Sequence, residues 1–447
     1  MQRYVIKDIT VINENQARCT DVLIEGERFA RLGPLSGLGE AAVEIDGHGK
    51  FLIPGVIDDQ VHFREPGFPL KGTIFSESRA AVAGGTTSFM EMPNTKPPAL
   101  TQELLEQKYQ TASANSLANY SFYMGVSNEN LQEVLRTNEK RAEVCGVKVF
   151  LGSSTGNLLV DNFLTLDRLF AGCGLPLAAH CEDEKIIHSN LELIQGLRGG
   201  LLTVEDHPLI RDDKACFQSS LTAIQLAMKH RTRLHILHIS TALEMQLFSG
   251  LVPLEEKKIT AEVCVHHLYF SSEDYATLGN QIKCNPAIKT PRDREALWKG
   301  LAEGRLDVIA TDHAPHTWEE KQNPYPQAPA GIPLVQHGLL MMLEHHQQGR
   351  ISMEELVTRM CHGPAICFGV AERGFIREGY FADCVILDPD QITEVRREDL
   401  LYRCGWSPFV GHLFPAAITH TFVNGHLAYE NGRLDDSVLG KRLHFNR

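Results

Sequence analysis

DDKACFQSSLTAIQLAMKH, residues 212–230, is followed after a short gap by RLHILHIS, residues 233–240. The first stretch is predicted to be a helix, because its apolar residues recur at helical spacing over many residues. The second is a short apolar run that ends in polar residues, which is typical of a strand. A helix that leads into a buried strand is the repeating unit of α/β folds with parallel sheets.

The same unit recurs through the middle of the chain, where short apolar runs alternate with helical stretches such as residues 291–304. Together with 233–240, eight runs are candidate strands: 55–63, 86–93, 119–125, 146–152, 175–181, 259–265 and 306–313. Eight strand-and-helix units predict a TIM-type (β/α)₈ barrel, with the functional site at the C-terminal ends of the strands.

The two ends of the chain have a different pattern. Short β segments punctuated by Asp-Gly, Glu-Gly and Asn-Gly turns occupy residues 4–55 and 381–432. Neither end is long enough to form a good core alone, so we expect them to combine. The predicted class is therefore α/β, with a barrel over residues 54–374 and a small β-sandwich domain built from residues 1–53 and 375–447.

Composition narrows the class of function. The 447 residues have a formal net charge of −13, which argues against a nucleic-acid-binding protein. The eleven cysteines follow no regular framework, so we expect reduced thiols in a cytoplasmic protein. No apolar run approaches the ~20 residues that span a membrane, and no signal peptide is recognised at the N-terminus.

Polar side chains cluster where the predicted strands end, as the barrel hypothesis requires. On a strand, Gln60, His62 and Arg64 share one face, where an imidazole can bind a metal ion and a guanidinium can bind a carboxylate. An exposed loop with the same residues is the alternative. The other strand-end candidates are Asn94, Lys148, His180, His238 and Asp312.

Lys148 lies inside an apolar strand, GVKVF. Burial favours a neutral amine, which can take up CO₂ to form a carbamate that bridges two metal ions. The alternative is a lysine on the outer face that pairs with a carboxylate. Asp312 can bind metal and transfer a proton, and His316 can hold a substrate anion.

Histidine spacing suggests which side chains point into the barrel. His235 and His238 are three residues apart, so on a regular strand only one points inward. We prefer His238, which lies nearer the C-terminal end. His207 is expected to be solvated.

Seven motifs follow one another along the chain: PGVIDDQVHFREPG (54–67), MEMPNTKPP (90–98), GVKVF (146–150), HCEDE (180–184), LHIST (237–241), NPAIK (285–289) and TDHAPH (311–316). In this order they resemble the dihydroorotase family of the amidohydrolase superfamily, over essentially the whole chain. Hydantoinases usually lack the arginine of the HFR segment, and allantoinases usually differ at the HAPH segment.

The resemblance implies the reversible cyclisation of N-carbamoyl-L-aspartate to L-dihydroorotate in pyrimidine synthesis, by zinc-activated water with Asp312 as the proton shuttle. The substrate is a small molecule, and a homodimer or larger homo-oligomer is an open expectation. One or two Zn²⁺ ions would be held by His62, N6-carboxylated Lys148, His180, His238 and Asp312. Substrate would contact Arg64, Asn94, His316, Asn285, Ala330 and Gly331.

Gln60 departs from the family pattern, which has histidine at this position. Gln60 is therefore a doubtful metal ligand, and a standard centre with two ions is in question. Two other hypotheses remain: an allantoinase or other cyclic ureide hydrolase, and a non-catalytic amidohydrolase-like scaffold, which only Gln60 favours. The segment 317–331 is expected to form a loop over the site.

Overall fold

A computed structural model describes residues 2–35, 42–152 and 158–447. Strands are numbered in chain order, and the first five precede the barrel: β1 (Arg3–Asn13), β2 (Gln16–Glu25), β3 (Arg28–Leu32), β4 (Val43–Asp46) and β5 (Phe51–Pro54). The barrel strands follow: β6 (Val56–Val61), β7 (Thr86–Glu91), β8 (Asn119–Phe122), β9 (Met124–Gly125), β10 (Val147–Phe150), β11 (Leu177–His180), β12 (Leu234–Ile236), β13 (Ile259–Cys264) and β14 (Val308–Ala310).

These strands form a closed parallel barrel. One sheet has the order β6-β7-β8, and a second has the order β14-β13-β12-β11-β10-β9. Tyr123 alone separates β8 from β9, so the two segments act as one barrel strand. A parallel bridge between Val61 and His313 joins β6 to the end of β14 and closes the circle. Each of the eight predicted strands contains a barrel strand, which confirms the predicted TIM-type fold.

Helices alternate with the barrel strands and cover them. The helix predicted over residues 212–230 begins after Asp212, whose side chain accepts a hydrogen bond from the Ala215 amide as an N-cap. The helices are α1 (Ile74–Ala83), α2 (Gln102–Asn115), α3 (Leu131–Arg136), α4 (Phe163–Gly172), α5 (Glu184–Leu197), α6 (His207–Ile210), α7 (Asp213–His230), α8 (Val265–Tyr269), α9 (Tyr275–Leu278), α10 (Pro291–Ala302), α11 (Trp318–Lys321), α12 (Gly338–Gln347), α13 (Met353–Val357) and α14 (Gly363–Phe368). In the described ranges, none of these helices has the length and apolar character needed to cross a bilayer.

Strands from both ends of the chain share one nine-stranded sheet. The strands after the barrel are β15 (Cys384–Asp388), β16 (Thr393–Glu394), β17 (Leu413–Phe414), β18 (Ala417–Val423), β19 (His426–Glu430) and β20 (Arg433–Leu434). The order of the sheet is β20-β19-β18-β15-β5-β1-β2-β3, and β4 pairs with β1, whereas β16 and β17 form a separate pair. The buried faces of β1, β2 and β15 pack into their own apolar cluster. We propose that this sheet belongs to a separate small domain of residues 1–53 and 375–447.

Candidate active site

A cavity of about 320 Å³ opens at the C-terminal ends of the barrel strands. Phe150, Ala314 and Pro329 supply part of its wall. Every residue predicted from the sequence to bind metal or substrate lines this cavity as well. These are Gln60, His62, Arg64, Asn94, Lys148, His180, His238, Asn285, Asp312, His316, Ala330 and Gly331.

Three of these residues have left-handed backbone conformations. The φ angles are 68° at Arg64, 41° at His238 and 45° at Asp312. For residues with a Cβ atom, such conformations cost roughly 1–3 kcal/mol each and persist only where the surroundings enforce them. Each lies just after a barrel strand, so the unusual backbone turns a functional side chain toward the cavity.

His62 is oriented by Asn94 and faces Asp312. Its Nδ1 lies 2.8 Å from Asn94 Oδ1, which can only accept a hydrogen bond, so Nδ1 carries the hydrogen. Nε2 therefore presents its lone pair, 3.1 Å from Asp312 Oδ1. Burial lowers the pKa of His62, which keeps the ring neutral. A neutral imidazole beside a carboxylate is a suitable pair of ligands for zinc.

His180 and His238 form the second side of the site. His180 Nε2 lies 3.0 Å from Glu182 Oε2, and Arg211 forms an ion pair with the same carboxylate. The carboxylate accepts a hydrogen from Nε2, so His180 Nδ1 points its lone pair at His238 Nε2, 3.0 Å away. Burial, followed by the nearby His180 and Lys148, lowers the pKa of His238 well below its usual value.

Lys148 is buried beneath these histidines, with 1% of its surface exposed. Burial lowers the pKa of its amine to about 7. A substantial fraction of the amine is therefore neutral at physiological pH, which is the form that reacts with CO₂. The outer-face alternative is ruled out for Lys148, because its side chain lines the cavity.

Gln60 turns its amide nitrogen toward Asp312. Gln60 Nε2 donates to Asp312 Oδ1 at 3.0 Å, whereas Gln60 Oε1 accepts from Cys264 Sγ at 3.9 Å. In this orientation the side chain presents a donor rather than a lone pair to Asp312. The structure thus favours Gln60 as a support for the carboxylate.

Two cations contact His316, a residue of the cavity wall. Arg64 Nη2 lies 3.1 Å from His316 Nε2, and Lys71 Nζ lies 3.0 Å from His316 Nδ1. Burial, and then the positive charge of Arg64, lower the pKa of His316 to about 3, so the ring is neutral. Lys71 also pairs with Glu320 at 2.8 Å. Sequence reasoning missed Lys71, because nothing in the local pattern distinguishes it from a solvated lysine.

The segment 317–331 is tied to the protein at several points. Lys321 Nζ donates to three carbonyl oxygens, those of Lys283, Pro329 and Gly331. The Gly331 amide donates to Lys283 O, so the backbone groups of Gly331 already have protein partners. His316 Nε2 lies 3.0 Å from Ala330 O.

The expectation that His207 is solvated is wrong. The side chain is buried, with 3% of its surface exposed. Its Nε2 lies 2.9 Å from Cys284 O and 3.0 Å from Asn285 Oδ1. His207 therefore fixes the side chain of Asn285 at the cavity wall. Glu182 was also missed, although an acidic residue two positions after a strand-ending histidine is a usable signal for a partner of a metal ligand.

The expectation that only one histidine of HILH points inward is wrong. His235 lies 3.1 Å from Asp59 on β6, and β6 and β12 are separated by two strands in the barrel wall. This contact therefore crosses the barrel interior. His238 also reaches the interior, because β12 ends at Ile236 and the positive φ of His238 breaks the alternation of a regular strand.

The donor groups at the cavity fit a divalent metal. On one side of the site, His62 Nε2 lies 3.1 Å from Asp312 Oδ1. On the opposite side, His180 Nδ1 lies 3.0 Å from His238 Nε2. Zinc bonds of ~2.0–2.1 Å with tetrahedral angles place neighbouring ligand atoms about 3.3 Å apart. The residues that would hold the metal are His62, Asp312, His180, His238 and Lys148.

Comparisons with known proteins show the family of this chain. Residues 51–428 match the model of the Amidohydrolase family. The chain is 32% identical over 430 residues to a dihydroorotase of Halobacterium salinarum, with 95% of this chain and 96% of that protein covered. It is 31% identical over 443 residues to a dihydroorotase of Bacillus subtilis, with 96% and 99% covered.

Solved structures show the same fold. The L-hydantoinase (dihydropyrimidinase) from Arthrobacter aurescens superposes with a TM-score of 0.93 at 26% identity, over 99% of this chain and 100% of that one. The dihydropyrimidinase from Brevibacillus agri gives a TM-score of 0.88 at 22% identity, with both chains fully covered. This chain belongs to the amidohydrolase family and is a metal-dependent cyclic amidohydrolase.

Proposed function

We propose that the protein is a dihydroorotase, which interconverts N-carbamoyl-L-aspartate and L-dihydroorotate. The observation that carries the proposal is the pair of cations, Arg64 and Lys71, that contact His316 at the rim of the cavity. Dihydroorotate carries a carboxylate next to its ring, and a planar guanidinium grips such a group through two parallel hydrogen bonds. The named relatives of similar length support the same activity.

Zn²⁺ is the proposed cofactor, as one or two ions, with Lys148 carboxylated on its amine. When bound, zinc would supply the Lewis acidity that lowers the pKa of water and polarises the ring amide. His62, His180, His238, Asp312 and the Lys148 carbamate would hold it, with Glu182 and Asn94 orienting two of the histidines.

Asp312 is the proposed proton shuttle. In hydrolysis, water adds to the ring carbonyl carbon, and Asp312 takes a proton from that water. Asp312 then gives that proton to the ring nitrogen as the carbon–nitrogen bond breaks, so that one water is consumed. In synthesis the same steps run backward and water is released. Gln60 holds the Asp312 carboxylate through Oδ1 during this transfer.

Other polar groups at the cavity are proposed to position the substrate. Arg64 and His316 bind its carboxylate, together with the Asn94 amide. Asn285, held by His207, contacts a ring amide. The backbone at Ala330 and Gly331 would contact the ring as well. The Gly331 carbonyl oxygen already accepts a hydrogen bond from Lys321, so its contact with the ring would use its second lone pair.

The direct test is a substrate panel. The purified zinc-loaded enzyme is assayed with L-dihydroorotate, dihydrouracil, hydantoin and allantoin. We expect kcat/KM for dihydroorotate to exceed the other values by at least about 100-fold, because only that substrate engages the carboxylate grip. A preference for allantoin would support the ureide-hydrolase alternative, and a preference for dihydrouracil or hydantoin would assign a hydantoinase. A cytoplasmic location and a homo-oligomeric state stay predictions.

A further inference from the structure

A second group of metal-ligating side chains lies in the barrel interior, below the cavity. Asp59 on β6, His235 on β12 and Glu262 on β13 approach one another to within 4.8 Å, and none is more than 2% exposed. Glu262 Oε1 accepts from the His238 amide at 3.1 Å and from Cys264 Sγ at 3.5 Å. The group therefore lies one layer beneath the residues that line the cavity.

Apart from one another, the ligating atoms of this group have no hydrogen-bond partners among the described residues. They are both oxygens of Asp59, Glu262 Oε2 and His235 Nε2. Nor does any lysine or arginine of the described ranges form an ion pair with Asp59 or Glu262. His235 is thus their one basic partner. Two buried carboxylates that share a single histidine are unfavourable unless a cation or a proton compensates their charge.

The orientation of His235 is set by Thr260. His235 Nδ1 lies 2.7 Å from Thr260 Oγ1, and the Thr260 hydroxyl donates to Leu234 O at 3.4 Å. The hydroxyl therefore accepts from Nδ1–H, which leaves the lone pair of Nε2 facing the two carboxylates. A hydrogen bond from the far ring nitrogen is the usual way in which a metal-binding histidine is fixed.

We propose that Asp59, His235 and Glu262 bind a divalent transition-metal ion, zinc being the best fit, in a structural site separate from the rim ligands. The distances from His235 Nε2 are 3.1 Å to Asp59 Oδ2 and 3.5 Å to Glu262 Oε2. These values bracket the ~3.3 Å separation of neighbouring ligands around tetrahedral zinc. The ion neutralises both carboxylates and fixes Glu262, which holds the backbone of His238.

Metal content tests the proposal without reference to activity. The Lys148→Ala/His180→Ala double variant removes rim ligands, and we expect it to keep one equivalent of zinc after gel filtration. Adding Asp59→Asn should remove that equivalent, whereas adding His345→Gln, a buried histidine far from both sites, should not. A double variant that holds no zinc, or equal zinc with and without Asp59→Asn, would overturn the proposal.

Anomalous diffraction at the zinc edge gives a second test. It uses the unmodified enzyme, so a substitution that disturbs folding cannot affect the result. We expect a peak about 2.0–2.1 Å from His235 Nε2. The alternative to a metal ion is a proton on His235 Nε2. Burial lowers the pKa of His235, but the hydrogen bonds and charges of Asp59 and Glu262 have the larger effect and raise that pKa to about 9. A map with zinc at the rim and no peak beside His235 would assign the proton instead.

Discussion

Gln60 donates a hydrogen bond from its amide nitrogen to Oδ1 of Asp312, at 3.0 Å. The family's usual histidine at this position would offer a metal ligand instead. Here the side chain holds in place the carboxylate that both binds metal and transfers the proton in the proposed mechanism. This contact makes Gln60 a positioning residue.

Replacing Gln60 by methionine removes that hydrogen bond at similar volume. A hydrogen bond to a charged group contributes about 1.5–3 kcal/mol, so we expect kcat to fall roughly 10-fold to 100-fold. Steady-state kinetics at saturating zinc measure the change. Gln110→Met, on the exposed face of α2, is the control, and equal kcat in the two variants would refute the role of Gln60.

Asp312→Asn keeps the shape of the side chain but removes its basicity. General acid–base groups accelerate a reaction by about 10²–10⁴-fold, so we expect kcat to fall by at least about 10²-fold. The thermal melting temperature should stay close to that of the parent enzyme. Kinetics are recorded together with zinc content. Near-normal turnover would rule out Asp312 as the shuttle, and the exposed Asp390→Asn is the matched control.

Arg64→Lys keeps the charge and loses the planar fork. If Arg64 grips the substrate carboxylate through two hydrogen bonds, KM for dihydroorotate should rise about 10-fold to 100-fold with a smaller change in kcat. Any residual hydrolysis of dihydrouracil, which has no carboxylate, should be unaffected. An unchanged KM for dihydroorotate would place the carboxylate elsewhere.

Carboxylation of Lys148 should depend on pH and bicarbonate. Burial lowers the pKa of the amine to about 7, so the reactive neutral form dominates above pH 7 and is lost as the pH falls below it. We expect metal-free enzyme given zinc and bicarbonate to regain activity faster at pH 8 than at pH 6. Lys148→Ala should bind less zinc, and reactivation independent of bicarbonate would contradict the carbamate.

Arg211→Met leaves the buried carboxylate of Glu182 without its ion pair. Breaking a buried pair in this way costs about 3–5 kcal/mol, which urea unfolding of the metal-free protein can measure. Although burial opposes ionisation, Arg211 and His180 hold the pKa of Glu182 at about 2, so the charge persists at neutral pH. Arg396→Met removes an ion pair with Glu394 in which the two side chains are 57% and 45% exposed, so it is the control and should cost less than ~1 kcal/mol. Equal losses would contradict the prediction.

Much of the fold could be predicted because its signals are local. Apolar runs such as 146–152 and 259–265 contain strands β10 and β13 in the structure. The candidate site was also predictable, since the C-terminal ends of parallel strands converge at one rim of a barrel. His62 and Asp312 lie 250 positions apart in the sequence, and the barrel topology alone predicts that they meet.

The sequence by itself determined the barrel, the strand ends and the residue types that gather there, because strand and helix periodicity depend on neighbouring residues. Only the tertiary structure decided which way those side chains turn. The inward direction of both His235 and His238 depends on a left-handed backbone at one position. The partners of Gln60 and His316 come from distant segments, and such contacts are set by packing across the barrel, which no local pattern encodes.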